Sequence, residues 1–476
     1  MKKLPLIFVI IFNITICNSQ TYNDIFKVFL SKSELKNANI GLYVENLNTK
    51  EIIYKYNENI SMIPASIFKI FPTSIALELF GPEYKFKTEI SYSGKIDTTG
   101  ILNGDLYIIG GGDPCLGSTN YSYHYEQNNK NIIQQWTDAI AKAGIKKING
   151  NVIADVSYFG KINIPNRWTW DDIGNFYGHQ GSALNYLDNM YYVHFSTGAT
   201  DGASTKITYV VPSDLNLKFN NTVTASTKSG DNAYIFFGDN NYQKDIKGTL
   251  PAGKSDFVIK GSMPEVEIYL AQSLINILIK NKISVTGISK VIFETDKKSK
   301  TLIHTTYSPE LQIIIENINK KSNNTYAQIL SYHIAKKSGK DYPIYVYDYL
   351  SLKKISTDGL NVDDACGLSH FNTLTAYLMV NYLKFLKTDY SQSQIFIKSL
   401  PIAGISGTLN SLAVGDKIKV VAKSGSMFKI ASYAGFMTDK SGNEFVFCFV
   451  INNFKGNYYN IQRYYEELFK NFGEVK

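Results

Sequence analysis

The sequence predicts a mixed α/β (α+β) fold in which one domain is split by a large β-rich insertion. Helical periodicity occurs in residues 66–79 and again in 311–338, so helices lie on both sides of the proposed insertion. Short alternating runs with Gly-rich turns dominate between these two segments, which is typical of strands. The chain has 476 residues, too many for one ordinary hydrophobic core, and two or three domains are therefore expected.

The domain boundaries are placed where these patterns change. Residues 20–92 and 302–476 are predicted to form the split domain, an antiparallel sheet with helices, and residues 93–301 form the insertion. The insertion is divided into two smaller domains, at about 93–160 plus 250–301, and 161–249. In chain order the predicted elements are a strand pair in 39–54, a helix at 66–79, helices near 132–143 and 265–279, helical residues 311–338, strands at 432–437 and 444–451, and a helix at 461–472.

Composition indicates a folded protein without a strongly charged face. Hydrophobic residues make up 44% of the chain and charged residues 19%. The 34 tyrosines and 27 phenylalanines suit strand-rich domains. The net charge of +8 comes from lysines spread along the chain, which favours an ordinary solvated surface over attraction to an anionic polymer. No basic cluster predicts a nucleic-acid partner.

The N-terminal residues 1–19 are interpreted as a signal peptide. A lysine pair precedes an apolar run at 4–16, which is too short to span a bilayer but suits a secretory segment. Small residues favour cleavage before Gln20, and the alternative is lipid attachment at Cys17. No later segment predicts a transmembrane span. We therefore expect an exported protein, either soluble or tethered at its N-terminus.

The first chemical motif is Ser66-Ile67-Phe68-Lys69 at the start of a predicted helix. Residues three apart on a helix share a face, so the Lys69 amine can reach the Ser66 hydroxyl. A serine needs an adjacent base to act as a nucleophile, and a lysine serves when burial lowers its pKa. Backbone N–H groups at a helix start also suit an oxyanion. Alone the pattern is weak, because an outward lysine on an ordinary helix gives the same letters.

The second motif is Ser322-Asn323-Asn324, which follows a helical segment. Ser322 is a candidate to relay a proton to a leaving amine, and Asn324 is a candidate to bind a substrate amide. The alternative is an ordinary helix cap or turn, since serine and asparagine favour both.

The third motif is Lys423-Ser424-Gly425, at the beginning of a predicted strand pair. A cation and a hydroxyl on a strand edge can hold a carboxylate, and a glycine allows a close approach of substrate backbone. The N–H of Ser426 is a candidate for an oxyanion hole. The alternative is a basic turn before a strand.

The three motifs together predict an acyl-transfer enzyme with Ser66 as nucleophile and Lys69 as base. Their order, S-x-x-K, S-x-N and K-[ST]-G, is that of β-lactamases and penicillin-binding proteins. Each motif also falls in the expected element, namely a helix start, an inter-helix turn and a strand.

The sequence resembles the D-alanyl-D-alanine carboxypeptidase/endopeptidases, the class C low-molecular-mass penicillin-binding proteins. Ser322 lies 256 residues after Ser66 (322 − 66), and a long insertion at this place is a mark of that family. Further matching segments are Pro64-Ala65, 104–114, 155–159, 182–185, 248–251, 364–369 and 404–409.

The resemblance implies a split domain of the transpeptidase/β-lactamase type and secretion across the inner membrane into the periplasm. It implies hydrolysis of peptidoglycan stem peptides or cross-links, β-lactams as covalent inhibitors, and no cofactor. It also implies substrate contacts by Asp155 and Phe159 of the insertion. Departures from the family pattern are Pro72 inside the nucleophile helix, which is expected to kink it, and His370 in place of an arginine.

Other patterns in the sequence are weaker. Cys115, Cys366 and Cys448 allow one disulfide plus a free thiol but no disulfide framework, and no histidine spacing predicts a metal site. Residues 248–255 match the P-loop letters, but a strand rather than a helix is predicted to follow, so we reject nucleotide binding. A β-lactamase is disfavoured because no E-x-x-L-N segment is present, and a binding-only protein because the three motifs are intact.

Overall fold

The structure is a computed structural model that describes residues 21–126, 130–228, 230–237 and 242–475. The predicted signal peptide, 1–19, and the possible lipidation of Cys17 lie outside the described residues. The helices are α1 Tyr22–Leu30, α2 Ile70–Phe80, α3 Ser122–Tyr125, α4 Ile132–Lys142, α5 Trp170–Ile173, α6 Val266–Lys280, α7 Leu311–Lys321, α8 Asn324–Ser338, α9 Tyr342–Leu352, α10 Ala376–Thr388, α11 Ser393–Ser399 and α12 Tyr458–Phe472.

The strands outnumber the helices and fall mostly in the middle of the chain. They are β1 Asn39–Asn46, β2 Ile52–Tyr56, β3 Lys87–Tyr92, β4 Lys95–Ile96, β5 Ile101–Asn103, β6 Leu106–Gly110, β7 Lys147–Ile148, β8 Val152–Asp155, β9 Met190–Thr197, β10 Thr205–Val211, β11 Lys218–Asn221, β12 Thr224–Ser226, β13 Asn232–Phe237, β14 Gln243–Pro251, β15 Phe257–Ser262, β16 Ser284–Val285, β17 Ser289–Ile292, β18 Thr301–Tyr307, β19 Ile418–Met427, β20 Ile430–Asp439 and β21 Glu444–Asn452.

One antiparallel sheet joins the two ends of the chain, in the order β19-β20-β21-β1-β2. Strand β1 pairs with β21 along its whole length, from Asn39 opposite Asn452 to Asn46 opposite Phe445. Along β21 alternate residues face opposite sides: Phe447 and Phe449 pack with α1 and α12, whereas Val446 and Cys448 join the core on the other side. Since both faces are covered, the sheet is a rigid support for groups on its outer strand, β19.

The described residues of the insertion and its flanks form four further sheets. Their orders are β17-β8-β6-β3-β18, β16-β7-β5-β4, β10-β9-β15, and β11-β14-β12 with β13 also on β14. Strands β3 and β18 pair with each other, so the inserted sheet begins before the boundary drawn at residue 92. Strand β15 pairs with β9 and therefore groups with the 161–249 part, although the boundaries assign it to the other one.

Three predictions from the sequence concern residues 248–255, the effect of Pro72 and transmembrane helices. Strand β14 ends at Pro251 and strand β15 follows, so residues 248–255 lack the strand-to-helix context of a P-loop, as predicted. Pro72 is the third residue of α2, where a backbone N–H has no intrahelical partner, and the helix continues unbroken to Phe80. The expected kink is therefore wrong. Within the described residues no helix is long and apolar enough to cross a membrane.

Candidate active site

The nucleophile motif lies on a short 3-10 turn, Ala65–Lys69, that leads directly into α2. Ala65 adopts a left-handed φ of 49°, which is unusual for a residue with a Cβ and stores strain just before Ser66. Lys69 is fully buried, and its Nζ lies 2.8 Å from Ser66 Oγ. The same amine donates to the carbonyl of Cys366 at 2.5 Å.

Burial changes the charge behaviour of Lys69. Loss of hydration lowers the pKa of its amine to about 8, although the nearby carboxylate of Asp364 acts in the opposite direction. A lysine with this pKa is partly unprotonated near neutral pH. It can therefore accept the proton of the Ser66 hydroxyl, to which it is already hydrogen bonded.

The second motif lies in the turn between α7 and α8. Ser322 ends α7 in a left-handed conformation, with φ of 58°, and Asn323 caps α8 by accepting from the N–H of Tyr326 at 3.0 Å. Ser322 Oγ accepts a hydrogen bond from Lys423 Nζ at 2.9 Å. Asn324 Nδ2 donates to the carbonyl of Tyr177 at 3.0 Å, so this motif also contacts the insertion.

The third motif lies within β19 rather than at its start. Lys423 is fully buried, and both burial and the charge of Lys69 lower its pKa well below the usual range. Ser424 Oγ lies 2.6 Å from Thr408 Oγ1. A Cβ at Gly425 would be 2.8 Å from the backbone N of Ser66, so only glycine allows the strand to pass this close to the nucleophile.

A second contact ties the central sheet to the nucleophile turn. Ser432 of β20, which pairs with Gly425, donates through Oγ to the carbonyl of Pro64 at 2.6 Å. Strand β20 as well as β19 therefore contacts the turn that carries Ser66.

These groups open onto one cleft with a volume of about 460 Å³. The split domain contributes residues of the first two motifs, the 364–369 loop and the residues of β19 that directly follow the third motif, and the insertion contributes the remaining wall. The residues that line the cleft include Ser66, Ser322, Asn324, His370, Ser426 and, from the insertion, Thr169, Asp171, Asp172, Tyr177 and Tyr234.

The structure does not bring Asp155 and Phe159 to this cleft. Asp155 is buried at the end of β8, where it accepts from the N–H of Ser157 at 3.0 Å. The ring of Phe159 packs on that of His333, with centroids 4.8 Å apart. The insertion reaches the cleft instead through residues 169–177 and Tyr234, which the sequence analysis missed. An acidic and aromatic run, Trp-Asp-Asp, was the available signal, but its approach to Ser66 depends on how the insertion packs.

The disulfide that the sequence allowed is not formed among Cys115, Cys366 and Cys448, which are all buried with free thiols. Cys366 lies in the 364–369 loop beside the site, and burial raises the pKa of its thiol well above the usual range. It is therefore a neutral, unreactive group whose backbone carbonyl, rather than its sulfur, contacts Lys69.

The site combines a serine at a helix start, hydrogen bonded to a buried lysine, with a second buried lysine on a strand. This arrangement defines the class of serine acyl-transfer enzymes. The chain belongs to the D-Ala-D-Ala carboxypeptidase 3 (S13) family, which it matches over residues 23–465. It is therefore a serine-type peptidase and a hydrolase, as predicted.

Two curated relatives extend over nearly the same length. The chain is 26% identical over 431 residues to D-alanyl-D-alanine carboxypeptidase DacB of Haemophilus influenzae, which covers 88% of this chain and 86% of that protein. It is 26% identical over 450 residues to the D-alanyl-D-alanine carboxypeptidase of an Actinomadura species, covering 90% of this chain and 80% of the relative.

A solved structure confirms the predicted fold class. Penicillin binding protein 4 from Haemophilus influenzae superposes with a TM-score of 0.78 at 22% identity, over 95% of this chain and 98% of that one. The same protein complexed with a β-lactam gives a TM-score of 0.72. The mixed α/β penicillin-binding fold is thus shared over 95% of this chain.

Proposed function

We propose that this protein hydrolyses the D-Ala-D-Ala bond of peptidoglycan stem peptides through an ester on Ser66. The observation that carries the proposal is the 2.8 Å contact between Ser66 Oγ and the buried Lys69 amine. Lys69 takes the hydroxyl proton as Oγ attacks the carbonyl carbon. The backbone N–H groups of Ser66 and Ser426 are the candidate donors to the oxyanion that forms.

The second half of acylation needs a proton for the leaving amine. Ser322 is the candidate donor, because its hydroxyl lies in the cleft and is bonded to Lys423 at 2.9 Å. The C–N bond then breaks, the amine leaves with that proton, and the acyl group stays on Ser66. The proton that Lys69 took from Ser66 replaces the one that Ser322 gave, so that Ser322 is a hydroxyl and Lys69 an unprotonated amine again. Water attacks the ester with Lys69 again as the base, and the proton it takes returns to Ser66 Oγ.

Substrate binding is assigned to residues of the second and third motifs. Asn324 is the candidate for a peptide amide, and Lys423 with Ser424 for the terminal carboxylate. Gly425 allows the substrate backbone to lie along β19. Asp155 and Phe159 have no place in this proposal, because their contacts are with Ser157 and with the ring of His333.

The same chemistry extends to D-alanyl cross-links, because only the leaving amine differs. A cross-link brings a larger leaving peptide, and the wall formed by the insertion offers Asp171, Asp172 and the ring of Tyr177 to it. Carboxylates favour a positively charged amino group, which supports endopeptidase activity as a second reaction of this site. Penicillins are expected to acylate Ser66 in place of the peptide.

Such substrates lie outside the cytoplasm, which agrees with the proposed signal peptide at 1–19 and a periplasmic location. Lipid attachment at Cys17 is the alternative and would keep the protein at the membrane.

Incubation of the purified protein with a pentapeptide stem peptide and with a cross-linked muropeptide tests the proposal. We expect release of D-alanine from the first and separated peptides from the second. Ser66→Ala should release neither, whereas Ser441→Ala, at an exposed turn, should match the wild type. Product formation by Ser66→Ala at the wild-type rate would refute the assignment.

A further inference from the structure

A carboxylate outside the three motifs, Asp364, is the centre of a hydrogen-bond network beside Lys69. Asp364 is 1% exposed. It accepts hydrogen bonds from Gly367 N at 2.6 Å, Leu368 N at 3.1 Å, Ser369 N at 2.7 Å, Asn372 Nδ2 at 2.7 Å and Trp168 Nε1 at 2.8 Å. A buried carboxylate held by so many donors fixes the backbone that carries them.

The backbone that Asp364 fixes is the 364–369 loop, which supports the catalytic groups directly. The carbonyl of Cys366 in this loop accepts from Lys69 Nζ at 2.5 Å. Gly367 packs so closely on the nucleophile turn that a Cβ there would be 2.1 Å from the carbonyl oxygen of Ala65. A shift of the loop would therefore move both the amine of Lys69 and the turn that carries Ser66.

We propose that Asp364 is a positioning residue for Lys69, and that Trp168 makes this positioning depend on the insertion. The proposal rests on the proposed function, since it gives Lys69 the role of base. Trp168 is buried and belongs to the insertion, whereas the other donors to Asp364 belong to the loop and to the residues after it. Next to this contact Arg167 pairs with Asp363 at 2.9 Å and lies 4.9 Å from the ring centre of Phe371.

Asp364 also influences the charge of Lys69. The titratable groups that face this amine are Asp364, the thiol of Cys366 and the amine of Lys423. The raised pKa of the Cys366 thiol keeps it neutral, so Asp364 supplies the negative charge that favours the protonated form of Lys69. Removing that charge would let Lys69 lose its proton at lower pH.

The test measures the rate of acylation by a fluorescent penicillin against pH for Asp364→Asn, Trp168→Phe and the control Asp358→Asn. Asp364→Asn should acylate about 10²-fold more slowly, because Lys69 is displaced, and the acidic limb of its pH profile should move to lower pH. Trp168→Phe should acylate about tenfold more slowly, and the acidic limb of its pH profile should stay in place. Asp358→Asn, at an exposed position whose side chain accepts from Ser356, should resemble the wild type.

A folded Asp364→Asn variant with an unmoved acidic limb would overturn the proposal, because a purely structural role predicts a lower rate alone. If that variant does not fold, a folded Trp168→Phe variant with the wild-type rate would overturn it instead. A wild-type protein that penicillin does not acylate would refute the proposed function itself, which keeps the two failures distinguishable.

Discussion

Lys69 and Lys423 are both fully buried, and burial disfavours the charged form of each amine. The two amines are also close enough for the charge of Lys69 to disfavour protonation of Lys423, which lowers the pKa of Lys423 further. Such an arrangement is unfavourable for folding unless the amines are hydrogen bonded, and here Ser66, Ser322 and backbone carbonyls supply the partners. The lysines are thus placed for proton transfer rather than for stability.

The pH dependence of acylation follows from Lys69. Below its pKa of about 8 the amine holds its proton and cannot take that of Ser66. The acylation rate should therefore rise as the pH increases through this value. Lys69→Arg stays protonated and should lower the rate by about 10²–10⁴-fold.

Stopped-flow measurement of penicillin acylation across the pH range checks this prediction. Lys440→Arg, on an exposed side chain, is the matched control and should keep the wild-type profile. A flat profile for the wild type, or full activity in Lys69→Arg, would contradict the role of Lys69 as base.

At the scale of elements, sequence pattern predicted local structure well and packing poorly. The helices near 132–143 and 265–279 and the C-terminal strands were predicted because their periodicity is local. The pairing of β15 with β9 joins residues far apart in sequence, and no local pattern encodes it. For the same reason the three motifs could be identified from the sequence, whereas the approach of residues 169–177 to the cleft could not.

The contact between α8 and the insertion gives a prediction at this scale. Tyr326, two residues after Asn324, donates its hydroxyl hydrogen to the buried carboxylate of Asp188 in the insertion. Tyr326→Phe leaves that carboxylate short of a donor, which should cost about 1–3 kcal/mol of unfolding free energy. It should also slow acylation, because the turn that carries Ser322 is tied to the same helix.

Urea unfolding and penicillin acylation of Tyr326→Phe measure the two effects. Tyr459→Phe, in which an exposed ring loses the same hydroxyl, is the control and should change neither. Unchanged stability in Tyr326→Phe would show that the hydrogen bond to Asp188 does not hold α8 to the insertion.

Across the whole molecule the insertion and the split domain share one core. A single cluster of buried apolar side chains includes Ile70 and Leu383 of the split domain and Trp136 and Leu270 of the insertion. This continuity could not be predicted from sequence, where the insertion reads as separate β-rich domains. It also explains how a segment far from the motifs in sequence forms one wall of the cleft.

A shared core predicts that the two parts unfold together. The three tryptophans of the chain, Trp136, Trp168 and Trp170, all lie in the insertion, so their emission reports on that part and, through Trp168, on its contact with Asp364. Penicillin labelling reports on the split domain. Both signals should be lost with the same midpoint in urea, as in a cooperative transition. Loss of tryptophan signal while labelling persists would mean that the insertion unfolds on its own.

If Ser66 forms a covalent acyl intermediate, intact-mass analysis after reaction with penicillin detects it. We expect one penicilloyl group per chain, located on the peptide that contains Ser66, and no adduct on Ser66→Ala. An unmodified wild-type protein, or an adduct that persists in Ser66→Ala, would contradict it.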